Sequence, residues 1–294
     1  MQNFKTILLL GFITFQNSNA SVAVNMKNGS LILHDSETHQ SRSGFAWNVQ
    51  RTYRSRSLFR GVFGQGWCSV LDLKIQFISK GELQITDCNY PHAIRYQLDA
   101  KASHYVSTLN SEDIVKAGFG FYERINQKKQ KTRFDLKGRP IDIQIGNSLY
   151  AFDYNSRGLI QSIRNKKSTF VEVKWHPLLD LVEKVGSTEY RYTGFQLIKV
   201  LEGSKEQVKL YDYDDLDNMT DRRQNKNHLL IEYYKAEDRV FKIKSSCTQT
   251  YEYKLENARI ISSELTEVCP NKKMLKQTFE VLHAALPQKE GELL

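Results

Sequence analysis

Proline is scarce in this 294-residue chain, at 5 residues, and glycine stops at 16 with no periodic placement. Collagen-like and Pro/Gly low-complexity readings are therefore excluded. Cysteine stops at 4, far below the density of a small disulfide scaffold. No stretch approaches eighteen consecutive apolar residues, so no segment reads as a membrane-spanning helix. Catalytic signatures are missing too. There is no H-E-x-x-H, no G-x-S-x-G and no phosphate-binding glycine loop, and the seven histidines are scattered. The one acidic run, Asp212, Asp214, Asp215 and Asp217, fails as a calcium loop. Leu216 stands where an oxygen ligand is needed, and the turn glycine is absent. No cofactor or metal is expected, and the Asp residues read as turn formers.

What is present is aromatic and basic. Tyrosine and phenylalanine contribute 15 residues each, and 40% of the chain is apolar. That is enough for a sizeable core, with a lean towards strands. The 42 Lys+Arg exceed the 33 Asp+Glu by nine. Two concentrations stand out: Arg51, Arg54, Arg56 and Arg60, then Arg124 to Arg139 with Lys128, Lys129, Lys131, Arg133 and Lys137. Such faces are commonly plain solvated surface; the functional reading is attraction to an anionic polymer.

Residues 1–20 have the layout of a secretory leader. One lysine precedes the apolar run Thr6–Phe15, and the polar Gln16–Ala20 ends in small residues. Export makes an anionic envelope polysaccharide or a surface protein the expected partner, and disfavours nucleic acid. It also permits disulfides. Four cysteines allow three pairings. They fall as two local pairs, 20 and 22 residues apart, which favours Cys68–Cys88 and Cys247–Cys269; buried free thiols are the alternative.

A repeat decides the expected fold. YAFDYNSRGLIQSI (150–163), YRYTGFQLIKV (190–200), LYDYDDLDNMTD (210–221), IEYYKAEDRVFKI (231–243) and YEYKLENARIIS (251–262) share one plan. Weaker copies are TRFDLKGRPIDI (132–143) and FVEVKWHPLLDLVEKV (170–185). Each is an aromatic strand, a few turn residues and an aliphatic strand. The last strand residues, taken as Leu136, Tyr154, Tyr192, Tyr213, Tyr234 and Tyr253, recur with a period near twenty. Aromatics two apart, as in Phe152/Tyr154 or Tyr211/Tyr213, share a strand face. Gly138, Gly158, Gly194, Asn218, Asp238 and Asn257 are expected at the positive-φ turn positions. A lone hairpin is marginal in water, so the units must pair into one long antiparallel sheet. Its tyrosines, Tyr154, Tyr192, Tyr213 and Tyr253, are either a core ladder or, if exposed, sugar-stacking platforms.

These units resemble the YD repeats of the RHS family and of teneurins, most closely at 150–163 and 211–220. Upstream, Arg51-Thr52-Tyr53-x-Ser55-Arg56-Ser57 followed by Gly61-x-Phe63-Gly64-x-Gly66-Trp67 is similar to the domain preceding the repeats in many RHS proteins. After the leader (1–20), the resemblance implies an all-β protein of bacterial origin with an RHS-like N-terminal β domain (21–110) and a YD-repeat sheet (111–262). About seven units are too few to enclose a toxin, and the core motif that ends the family's shell is missing, so encapsulation is not carried over. The tail 263–294 is expected to be helical. Leu275, Phe279, Leu282 and Leu286 fall at i, i+4, i+7 and i+11 over 272–286, with Pro287 as the stop. Such a helix would cap the last repeat or dock a partner. The expected function is a non-catalytic binding or structural role at the envelope or cell exterior. The alternatives are an exported hydrolase of cell-wall or carbohydrate polymers and a remnant of a toxin-delivery protein.

Overall fold

The computed structural model describes residues 13–14, 20–40, 46–165, 170–203, 207–235, 237–257, 259–270 and 272–281. Two sheets dominate. The first has five antiparallel strands, Ile13–Thr14, Ser21–Asn25, Ser30–Gln40, Ala46–Arg54 and Trp67–Ser69, in that order. The second has 21 strands, beginning at Lys74–Ser79 and reaching Leu275–Glu280, each laddered to its chain neighbour. It runs unbroken past residue 110, where His104–Ser107 pairs with Ile114–Ala117.

Period-2 alternation explains the packing. Phe152, Tyr190, Tyr211 and Tyr251 are buried and share one face of the long sheet with the aromatics two residues on. That face meets Val22, Leu31, Leu33, Trp47, Val49, Tyr53 and Trp67 of the five-stranded sheet in one core. A second core, from Leu73 through Tyr96 to Phe134, fills the start of the long sheet.

The G-x-F-G-x-G-W segment has a specific task. Its small hairpin, Arg60–Gly61 with Gly64–Gln65, wedges between two repeat turns. Val182 donates its N–H to Val62 O at 2.8 Å, and Gln65 donates to Phe195 O at 2.8 Å. Gly64 has φ +102°, and a Cβ there would drive into the Phe195 carbonyl oxygen. Only glycine combines that conformation with that approach.

The hairpins turn as the repeat implies, with positive φ at Gly138, Gly158, Gly194, Asp238 and Asn257. In the 210–221 unit the left-handed residue is Asp217, one before the expected Asn218. The C-terminal helix is corrected. Residues Leu275–Glu280 form a strand laddered onto Arg259–Val268, while the rest of 282–294 lies outside the described residues. Leu275 and Phe279 are an even number apart, so they share a strand face as readily as a helix face. The Cys247–Cys269 bridge and Pro270 turn the chain back along an available edge, and that pairing overrides helix propensity.

Candidate functional site

One recurring aromatic side chain ties each repeat to the one before it. Tyr154 donates its hydroxyl to Pro140 O (2.6 Å), Tyr192 to Val182 O (2.7 Å), Tyr213 to Leu197 O (2.9 Å), Tyr233 to Met219 O (2.9 Å) and Tyr253 to Val240 O (2.8 Å). Trp175 fills the gap with its indole N–H on Ile160 O at 2.6 Å. The acceptors from Pro140 to Val240 are each the first or second residue of the strand that follows a turn, opposite the bulged end of the strand before it. The bulge releases a carbonyl from its own ladder, and the next unit's aromatic satisfies it. The degenerate 170–185 copy is therefore a full member through Trp175. In the 231–243 unit the member is Tyr233, while Tyr234 bonds Tyr251 O. The four tyrosines singled out from sequence thus lie along one ladder, with hydroxyls engaged. Burial pushes the phenols of Tyr154, Tyr192, Tyr213 and Tyr253 upward.

Between the two sheets lies a buried charge network. Asp35 and Glu37 come from the Ser30–Gln40 strand, Arg51 from its neighbour, and Lys209, Tyr211 and Arg222 from the long sheet. Lys209 Nζ reaches Asp35 (3.0 Å), Glu37 (2.8 Å) and Glu202 (2.9 Å). Arg51 Nε donates to Glu37 (3.0 Å), and Arg222 Nε to Asp35 (2.9 Å). Tyr211 donates to Asp35 at 2.8 Å. The Arg51 guanidinium also lies 4.5 Å from the Trp67 ring centre. Three carboxylates thus meet three cations, and the side chains of Asp35, Glu37, Arg51 and Lys209 are fully buried. Burial alone would push the Asp35 and Glu37 carboxyls up. Lys209, Arg222 and Arg51 outweigh it at Asp35, and Arg51 with Lys209 at Glu37, holding both below the usual carboxylate range. Lys209 is raised by its carboxylates against the opposing pull of burial.

Sequence reading missed this network, although a signal existed. Lys209 lies two residues before Tyr211, Arg51 two before Tyr53, and Asp35 and Glu37 two and four after Leu33. Strand parity places all of them on core faces.

Two surface clefts flank the docked sheet. One, of ≈ 570 Å³, lies against the Arg60–Gln65 hairpin and is bordered by Asp72, Arg139, Tyr154, Trp175 and Leu178. Asp72 accepts the Val62 N–H (2.7 Å) and the Ser69 N–H (2.8 Å), and burial pushes its carboxyl up to about 6. The other cleft, of ≈ 490 Å³, lies between the Ala46–Arg54 strand and the hairpin of Tyr122–Ile125 with Lys131–Phe134. Its floor is Arg124, paired with Asp87 (2.6 Å) and Asp113 (2.7 Å). Lys128 lies on its border, next to exposed Lys129 and Lys131. Lys129 faces Glu112 at 3.5 Å, and Arg133 pairs with Asp142. The structure thus gathers the four basic candidates on one hairpin, apart from the tyrosine ladder. Both expected disulfides are formed, Cys68–Cys88 and Cys247–Cys269. Cys88 borders the smaller cleft. Among the described residues no helix is long and apolar enough to cross a membrane.

A family model described as a domain of unknown function, DUF6531, matches residues 22–92. The match spans the docked sheet after its first strand, the glycine hairpin and the first hairpin of the long sheet. It contains Asp35, Glu37 and Arg51 but not Lys209, Tyr211 or Arg222. No curated protein matches the chain.

Proposed function

We propose that this chain is an exported, non-catalytic binding scaffold of the RHS/YD-repeat type. It works at the bacterial envelope or cell exterior, and its partner is envelope polysaccharide. The carrying observation is the division of polar chemistry. Inside, charges and phenols close on one another: three carboxylates against three cations, and a ladder aromatic bonded to a neighbouring unit. Outside, the Lys128–Lys131 turn and the cleft beside it offer exposed cations and amides. A rigid core with a polar surface recess suits holding a ligand. The leader pattern, the two disulfides and the repeat plan support an oxidising destination.

The competing hydrolase reading has one observation in its favour, the raised carboxyl of Asp72 beside the larger cleft. Both oxygens of Asp72 already accept N–H groups that fix the Ser69–Asp72 turn, so its role there is structural.

The test is retention of the exported chain on washed envelope and purified polysaccharide at low and high salt. Retention surviving high salt supports a specific site. Retention lost with salt reduces it to charge alone, and no retention removes the binding reading.

A further inference from the structure

We propose that the ≈ 490 Å³ cleft beside Trp47 is a saccharide subsite for an uncharged, hydroxyl-rich sugar unit; this deepens the envelope-binding reading and rests on it. The volume lies within the ~300–1,000 Å³ of small-molecule sites and matches a ligand of about a disaccharide's size.

The chemistry of the walls selects the ligand. The charged floor is already satisfied. Arg124 is held by Asp87 and Asp113, and the second oxygen of Asp87 accepts from Asn89 N (3.1 Å) and Asn89 Nδ2 (2.9 Å). Asn126 is locked as well, donating to Gln130 Oε1 at 2.9 Å and accepting from the Lys128 and Gln130 N–H groups at 3.0 Å. Apart from the solvent-exposed Lys128, what remains without a side-chain partner among the described residues is neutral. The amides of Asn48 and Gln50 stand exposed on the cleft side of their strand, and Gln130 keeps its Nε2 hydrogens. Trp47 borders the cleft, is 2% exposed, and its indole N–H is buried with no acceptor among those residues. That donor is sealed from solvent, so the exposed amides of Asn48 and Gln50 and the half-buried Gln130 are the groups a ligand meets.

Such a ligand supplies both donors and acceptors without charge. An anion would face the Asp87 carboxylate, and the one unpaired cation bordering the cleft, Lys128, is fully exposed to solvent screening. Tyr150, half-buried on the cleft border and backed edge to face by Trp47 at 4.6 Å, offers ring surface to the C–H face of a sugar. Lys128 and Lys131 then meet acidic groups further along the same polymer.

The experiment uses the exported full chain with three probes: chitotetraose, cellotetraose and an acidic tetragalacturonate. Calorimetric titration at low and high salt is paired with hydrogen exchange. At least one neutral probe is expected to bind saturably, independent of salt, and to slow exchange in 46–54 and 122–134. Asn48→Ala and Gln130→Ala, each removing one neutral bond, are expected to weaken it about 5–10-fold. Both side chains reach the surface, so folding is expected to be kept, and a thermal melt verifies that. Hydrogen exchange on the unmodified chain tests the site without any variant. The proposal is overturned if neither neutral probe binds up to about 10 mM. It is equally overturned if only the acidic probe binds and salt removes it, or if protection and variant effects fall elsewhere. Envelope retention unchanged in both variants refutes the cleft while leaving the envelope-binding reading standing. Loss of retention in the unmodified chain refutes both.

Discussion

Replacing Lys209 by methionine should destabilise the protein far more than any surface charge change. The side chain is fully buried, with its ammonium 2.8–3.0 Å from Asp35, Glu37 and Glu202, and it donates to Ser36 O at 2.9 Å. Methionine keeps the stem and the apolar contacts, so the loss is electrostatic. Two arginines would then face three carboxylates, leaving one negative charge buried and uncompensated. Removing one partner of such a pair costs about 3–5 kcal/mol. For a chain of this size the midpoint moves about 2–4 °C per kcal/mol, so a fall of roughly 6–20 °C is expected. Far-UV circular dichroism melts of the disulfide-bonded chain at neutral pH read this directly. Lys244→Met is the control: its partner Glu232 is 2.7 Å away, but both side chains are over 40% exposed, so under about 1 kcal/mol is expected. Adding Glu37→Gln to Lys209→Met restores two charges against two, and should recover part of the loss through a coupling above about 1 kcal/mol. A Lys209→Met midpoint no lower than that of Lys244→Met would refute the view that this network locks the two sheets.

Acid should weaken the protein through the same groups. Asp35 and Glu37 are held below their ordinary values of 3.8 and 4.5, so their contribution is present above about pH 4.5 and is lost as pH falls below it. Asp72 runs the other way, its contribution full below pH 3.8 and lost as pH rises through about 6; denaturant midpoints of Asp72→Asn across that window isolate it. Trp175→Phe removes one inter-repeat bond and some ring volume and should cost about 1–3 kcal/mol in urea unfolding; Tyr213→Phe removes the bond to Leu197 O and also the acceptor of the Trp67 indole N–H, and should cost about 2–3 kcal/mol. Gly64→Ala should abolish folding, whereas Gly146→Ala, with φ +58° but open space for a Cβ, should cost only about 1–2 kcal/mol in the same assay. Non-reducing peptide mapping should recover 68–88 and 247–269 cross-links, and Cys68→Ser with Cys88→Ser should cost about 3 kcal/mol.

Hairpins, turn glycines and the shared face of the aromatics were legible because they follow from spacing and parity, which act within one unit. The inter-repeat bonds were not. They link a hydroxyl to a carbonyl 10–16 residues earlier, and they need the bulge that frees that carbonyl. Tyr234 looked like the repeat marker because it ends the strand, yet the bulge shifts the inward position to Tyr233. The tail failed for a related reason. Leu275 and Phe279 satisfy both periods, and only the strand edge beside them decides. The charge network was hidden because its halves are some 170 residues apart, and each half alone is a charged residue in a strand. The clefts form only where the two sheets meet, so no local pattern encodes them.

Whether the docked N-terminal sheet and the repeat ladder are one structural unit is read most directly by scanning calorimetry of the oxidised chain. A shared core and a buried network joining Asp35 and Glu37 to Lys209 and Arg222 require them to unfold together. The expected result is one transition whose van 't Hoff and calorimetric enthalpies agree. Two resolved transitions, with residues 22–92 melting apart from the repeats, would contradict it.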